Sequence, residues 1–296
     1  MKKYLYKIVC ATLILISTSV VKASNEMYYT NKNNIEMTEQ QYNNLLVLGF
    51  TEKDIARMGQ EEFDNNKDLE GELLGETKKY IKTTTYMRNG IKQQVTEEIT
   101  KEEAMQEKEL QAQNRGPSGS YYNGYSYTDI KEITARIVGL NTYMRYHTKT
   151  EWVTMPQERY YDIIGIGIES SKVQIATSIV FRENWTTSDG VDHYTESCYP
   201  GSTSTGGFSI FELPTTTITD LSAVIYFNVA KANGVGTITS LYAAGDYAHG
   251  TCSGINPNTL YSYVHVNYPN GIMVYSPYTS CYASQTPAIA SFIGTW

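Results

Sequence analysis

The run KVQIATSIVFR (172–182) sets Val173, Ile175 and Ile179 on alternating positions with polar residues between them. Period-two alternation of this kind predicts a strand with one buried and one solvated face. The same reading extends to 131–139 (KEITARIVG), 141–147, 161–168 (YDIIGIGI), 221–230 (LSAVIYFNVA), 235–243 (VGTITSLYA) and 260–267 (LYSYVHVN). Gly, Pro and Asn clusters at 200–207, 214, 233–234, 254–258 and 269–271 supply turns between them. Repeated short strands with almost no helical periodicity predict a mainly β protein. Its C-terminal domain, 121–296, is expected to be an antiparallel β-sandwich or jelly-roll-like fold. No repeat of solenoid length is present.

The chain before residue 121 has a different character. Thr38-x-x-Gln41 is a capping-box pattern, Leu45, Leu46 and Leu48 supply an apolar face, and Gly49 can close that helix. Thr51 caps a second short helix through Asp54, and a third helical stretch is expected over 61–69. KKYIKTTTY (78–86) reads as a strand. Residues 91–113 carry many charges without a full apolar stripe, which predicts a solvated helix or linker. NRGPSGS (114–120) is a breaker cluster. The expected layout is therefore a small acidic helical segment over 24–85, a possible pro-region, then a charged linker over 86–120, then the β-domain.

Met1, Lys2, Lys3 and Lys7 precede an apolar run from Ile8 to Val21. A membrane-spanning helix needs roughly 20 apolar residues. This shorter run, followed by Val21-Lys22-Ala23, predicts a signal peptide over 1–23 cleaved after Ala23, and a secreted protein. Cys10 lacks a lipoprotein context, so no lipid anchor is expected, and no transmembrane segment is expected in the mature chain.

The net charge of −7 is unevenly spread. Residues 24–115 hold 18 acidic and 12 basic side chains, whereas 247–296 hold no Asp, Glu, Lys or Arg. Without a basic patch, nucleic acid and anionic lipid are disfavoured as partners. Nineteen of the 26 tyrosines fall between Tyr121 and Trp296. Tyr and Trp stack on sugar rings and offer polar tips. Tyr261, Tyr263 and Trp296, with Tyr268, Tyr275, Tyr278, Tyr282, Trp152 and Trp185, are candidate residues of a glycan-binding face. The competing reading is that tyrosine is a good strand residue in an uncharged sheet.

GDYAHG (245–250) is the most site-like stretch, with Asp246 and His249 as candidate binding residues. Residues three apart on a strand point to opposite faces, so a hydrogen-bonded structural loop is the plainer reading. Cys252 and Cys281 are the preferred disulfide, leaving Cys198 unpaired after signal removal. The acids of SDGVDHYTES (188–197) suit a solvated hairpin better than a calcium loop. No His-Glu-x-x-His, Cys-x-x-Cys or Gly-x-Ser-x-Gly occurs, so no catalytic residue, metal ligand or cofactor is assigned.

At NNLLVLGFTEKDI (43–55), MPQERYYDIIGIG (155–167) and GDYAHG (245–250) the chain resembles a group of uncharacterised exported proteins of Gram-positive spore-forming bacteria. The resemblance implies a signal peptide, a short helical segment and a β-rich C-terminal region, and transfers no site residues. The functional expectation is an exported, non-enzymatic binding or surface protein, with cell-wall or other extracellular glycans as partners. The alternatives are a secreted toxin or bacteriocin-like protein in which TTTITDLSAVIYF (215–227) inserts into a membrane, and a secreted hydrolase.

Overall fold

The computed structural model describes residues 27–89, 91–114 and 126–296. The predicted signal peptide and its cleavage site lie outside the described residues. A short hairpin of β1 (Met27–Thr30) and β2 (Glu36–Thr38) leads into three helices, α1 (Glu39–Val47), α2 (Glu52–Arg57) and α3 (Gln60–Asn66). The capping boxes anticipated from Thr38 and Thr51 both form, with Gln41 and Asp54 returning the bond to the cap backbone. Gly49 closes α1 at φ +109°, and a Cβ there would lie 3.0 Å from the His147 ring. Only glycine meets both demands.

The next three elements correct the expected layout. The segment read as a charged linker contains the end of β3 (Glu72–Arg88), all of β4 (Ile91–Ile99) and α4 (Lys101–Asn114). β3 pairs on one side with β4 and on the other with β5 (Ser126–Gly139), so the N-terminal segment supplies strands to the same sheet as the β-region. α4 has no apolar stripe, yet it docks through Ala104 and Met105 against Tyr80, Ile130 and Val153.

The remaining strands are β6 (Met144–Trp152), β7 (Tyr161–Ile168), β8 (Val173–Ile175), β9 (Val180–Thr187), β10 (Asp192–Thr195), β11 (Tyr199–Thr203), β12 (Gly206–Glu212), β13 (Ile218–Lys231), β14 (Ser240–Ala248), β15 (Val264–Asn267), β16 (Gly271–Val274) and β17 (Ala288–Ile293), with helix α5 (Pro257–Tyr261) before β15. The single strand expected over 172–182 is two strands, β8 and β9, which pair with successive parts of β13. The strand expected over 260–267 begins instead as α5, capped by Asn256 with Pro257 in its first turn.

Two antiparallel sheets form the sandwich. The larger runs β10-β9-β13-β6-β5-β3-β4, with β8 also on β13. The smaller runs β11-β12-β7-β14-β17. Ile133, Ala135 and Ile137 of β5 and Ile225, Phe227 and Val229 of β13 face Ile164, Ile166 and Ile168 of β7 across the core. Alternate residues on the far side of each sheet are covered too. The helices bury Leu45, Leu48, Ile55 and Met58 against Val138, Val224 and Tyr226 of the larger sheet. A C-terminal cap of α5, β15 and β16 buries Leu260, Val264 and Val266 against Ile163, Phe208 and Ile210 of the smaller one. β13 is paired on both sides and buried for most of its length, so from Ile218 onward the 215–227 segment is part of a central strand.

Candidate functional site

GDYAHG lies on β14 and just beyond it, where alternation sends Asp246 outward and Tyr247 and His249 into the sandwich. Asp246 is buried beneath the β15–β16 hairpin. Its Oδ2 accepts from Ile272 N at 2.9 Å, and its Oδ1 accepts from Gln285 Nε2 at 2.7 Å and Tyr247 N at 2.8 Å. Gly271 sits over the carboxylate at φ +72°, and a Cβ there would be 2.5 Å from Oδ2. Burial raises the Asp246 pKa against the lowering effect of these donors. The residue pins the cap to the sheet.

Asp162 of β7 organises the inner face. Its Oδ2 accepts from Tyr247 Oη at 2.5 Å, its Oδ1 accepts from Gly250 N at 2.9 Å, and His249 Nδ1 lies 2.9 Å from Oδ1. Trp152 Nε1, from the opposite sheet, donates to Tyr247 Oη at 3.4 Å. Lys131 Nζ, also from that sheet, stands 5.5 Å from the ring centroids of both Trp152 and Tyr247. Burial dominates the titration here. It lowers the Lys131 amine and raises the Tyr247 phenol. It pushes Asp129 up to about 6. Burial and the charge of Asp162 push Glu183 up to about 9. An Asp–His pair has the makings of an oriented base, but Asp162 and His249 are 0 % and 2 % exposed in their side chains. The structure therefore does not bring Asp246 and His249 together. One fastens the cap, and the other belongs to a polar knot that joins the two sheets.

The aromatic candidates divide. Tyr261 is exposed and rests 5.3 Å from Phe208, Tyr263 packs edge-on against Tyr278 at 5.5 Å, and exposed Tyr275 meets His265 at 5.0 Å. These residues share the C-terminal cap, which Cys252 and Cys281 staple as a disulfide with Cα atoms 5.3 Å apart. Tyr161 and exposed Tyr199 add a further edge-on pair at 6.4 Å. Trp296 is elsewhere, half-buried against the main core with Lys231 Nζ 5.5 Å from its ring. Trp152 is buried in the interior, Trp185 stacks on His193, and Tyr282 is buried with its hydroxyl on Tyr161 O. Tyr268 stacks on Tyr242 at 5.4 Å. In the 188–197 hairpin, Asp192 is held by Lys32 and by Thr186 Oγ1 at 2.8 Å.

Two features escaped the sequence. Asp162 occurs in an apolar strand, and its partners lie more than eighty residues away. A cleft of about 740 Å³ forms where α3, the outer face of the larger sheet and the β8–β11 region meet. Its walls come from separate elements, so no local motif announces it.

No family model matches the chain, and no curated protein matches it. Among solved structures it is similar to the C-terminal domain of the Streptococcus agalactiae AgI/II polypeptide BspA, at 10 % identity over 59 % of this chain and 77 % of that chain, with a TM-score of 0.26. It is similar to the collagen-binding domain of a Staphylococcus aureus adhesin, at 10 % identity over 39 % and 80 %, with a TM-score of 0.22. It is also similar to a Streptococcus parasanguinis structure concerned with pH-induced modulation of adhesion by Fap1 fimbriae, at 15 % identity over 55 % and 80 %, with a TM-score of 0.23. Likeness at this level carries no inference about function. No helix among the described residues is long and apolar enough to cross a membrane.

Proposed function

We propose that this chain is an exported, non-enzymatic surface or binding protein whose C-terminal cap holds uncharged cell-wall or extracellular glycan. The observation that carries the reading is the cap's chemistry. Across 247–296 there is no Asp, Glu, Lys or Arg, while Tyr261, His265 and Tyr275 stand exposed on a disulfide-stapled support. Aromatic rings held by packed neighbours lose little freedom when a sugar stacks on them. A surface without charge neither repels nor selects ionic ligands. Export is supported by the signal-type N-terminus and by a disulfide, which persists in oxidising compartments.

The test is co-sedimentation of the mature protein with isolated Gram-positive cell walls, with and without soluble competing glycans. Saturable, competable pelleting that is lost in a Tyr261→Ala, Tyr275→Ala double variant supports the reading. Wild-type protein that stays in the supernatant, or a double variant that pellets like wild type, removes it.

A further inference from the structure

The cleft under the helices has a floor assembled from parts far apart in the chain. Arg145, 4 % exposed, lies over Tyr226 with its guanidinium carbon 4.6 Å from the ring centroid. Its Nη1 donates to Asn66 Oδ1 at 2.8 Å and its Nε to Asn228 Oδ1 at 3.2 Å. Asn66 is in turn held by its own Nδ2 on Glu62 O at 2.7 Å. The guanidinium is thus fixed on two sides, and its Nη2 makes no hydrogen bond among the described residues while the residue lines the cleft. Rigid placement of one open donor edge is a recognition device, because the ordering cost has been met in the free protein.

Around that donor the cleft mixes functions. The Nδ2 of Asn228 adds a second donor with no partner among the described residues, and the Ser178 hydroxyl a group that both donates and accepts. The carboxylates of Glu61 and Glu196 sit at the exposed margin as acceptors. Ile179 and Phe181 offer apolar wall. Glu62 is neutralised by an ion pair with Arg182, so it adds no net charge. One guanidinium against two marginal carboxylates favours neither a strong anion nor a strong cation. Fixed donors inside and acceptors at the rim match a ligand whose groups both donate and accept, which is the property of a hydroxyl. The volume of about 740 Å³ lies within the roughly 300–1,000 Å³ of small-ligand sites.

We propose that this cleft is a second binding site, taking a short neutral oligosaccharide whose hydroxyl or acetamido oxygens accept from Arg145 Nη2. It shares no residue with the aromatic cap, so either site can fail without the other.

The test is saturation-transfer NMR and calorimetry on the mature protein with a panel of neutral trisaccharides: triacetylchitotriose, maltotriose, cellotriose and mannotriose. At least one is expected to bind with a Kd of about 1 mM or tighter. Ser178→Trp places a plug at an exposed position, so it leaves the fold intact, and affinity is expected to fall at least tenfold at unchanged Tm. Arg145→Lys keeps the charge but loses the planar fork, and should weaken the same ligand. In a Tyr261→Ala, Tyr275→Ala background, which removes the cap's contribution, trisaccharide binding and its loss in Ser178→Trp should both persist. Absence of binding across the panel overturns the proposal, as does an unaltered affinity in Ser178→Trp. Loss in the tyrosine variant alone would assign the trisaccharide to the cap instead.

Discussion

The helical cap over the larger sheet and the C-terminal cap over the smaller sheet each bury an apolar cluster, but they are fastened by different means. The helical cap is held by charge. Lys149, on the sheet, donates to Thr51 Oγ1 at 2.9 Å and Asp54 Oδ2 at 2.6 Å, and Arg57 reaches Asp220 at 3.0 Å. Lys32 and Lys53 add ion pairs to Asp192 and Asp220. The C-terminal cap has no charged side chain of its own. It is held by the disulfide, by Asp246 from the sheet beneath, and by bonds such as Thr205 Oγ1 to Val266 O at 2.9 Å. The lesson is that one sandwich separates its surfaces by chemistry: ionic on the helical side, neutral and aromatic on the other. Exposed rings occur on both sides, but Tyr194 on the helical side carries the Arg182 guanidinium 4.2 Å from its ring centroid, whereas Tyr261, His265 and Tyr275 lie in a stretch without Asp, Glu, Lys or Arg.

The severest challenge to this division is removal of the element common to both halves. Asp162→Ala would leave Tyr247 Oη, the His249 ring and Gly250 N buried without their acceptor. Breaking a buried polar pair costs about 3–5 kcal/mol. Urea unfolding followed by near-ultraviolet and far-ultraviolet signals should show one shifted transition, with both caps lost together. A cost under about 1 kcal/mol would be that of an ordinary substitution and would deny the knot its role between the sheets.

Next in size is the staple. Cys252 and Cys281 are separated by 29 residues, for which the chain-entropy treatment assigns about 3.5 kcal/mol. In a Cys252→Ala, Cys281→Ala variant, hydrogen exchange should accelerate at the β15 and β16 amides while α1 and α2 keep their protection. Equal loosening of both caps would show that they are not independently attached.

Acid should separate the caps by sign. Burial acts to raise the Asp54 pKa, but the charge and hydrogen bond of Lys149 outweigh it and the net shift is downward. A folded pKa below the ordinary 3.8 contributes stability that is present above 3.8 and lost as pH falls through the folded value. Asp246 is shifted upward, so acidification through its folded value toward 3.8 adds stability at the other cap. Below about pH 4, α1 and α2 should therefore lose exchange protection before β15 and β16 do. The charge-assisted bonds at stake are worth about 1.5–3 kcal/mol each. The reverse order of loss would contradict the ionic description of the helical cap.

The interior gives a third response. Glu183 has a folded pKa raised from 4.5 to about 9, so between those values the folded state binds one more proton than the unfolded. Stability from this group is full below 4.5 and declines as pH rises toward 9, with a slope of at most about 1.4 kcal/mol per pH unit. Glu183→Gln carries no titrating proton, so the stability difference between wild type and variant should change with pH across that window. A constant difference from pH 5 to 9 would show that Glu183 is charged in the fold.

What was legible in the sequence follows the range of the interaction concerned. The Thr38–Gln41 and Thr51–Asp54 boxes and the Gly49 stop are bonds within four residues, and they form as read. A third box, Thr100 with Glu103, was equally local but lay inside a run whose many charges suggested either a solvated helix or a linker. There Thr100 Oγ1 accepts from Glu103 N at 3.2 Å, and α4 needs only Ala104 and Met105 to dock. The 172–182 run alternates correctly but bends after Ile175, because one long partner, β13, takes it up in two pieces. GDYAHG drew attention for the right residue types, yet their partners, Asp162, Ile272 and Gln285, are set by tertiary pairing. The Arg145 cleft is non-local in the same way.

The smallest test returns to the most local bond. Thr38 Oγ1 accepts from Gln41 N at 3.2 Å, and Gln41 Oε1 accepts from Thr38 N at 3.0 Å. Thr38→Ala keeps the backbone but orphans one helix N–H, at a cost of about 1 kcal/mol. Unlike Thr51, Thr38 makes no side-chain bond to the larger sheet among the described residues, so its loss frays α1 without untying the ionic fasteners. Exchange should quicken at the first turn of α1 alone, with Lys149 and Asp54 still paired and β15–β16 unaltered. If the whole helical cap loosened instead, α1 would be the element on which the ion pairs depend, and attachment by charge would be secondary to helix formation.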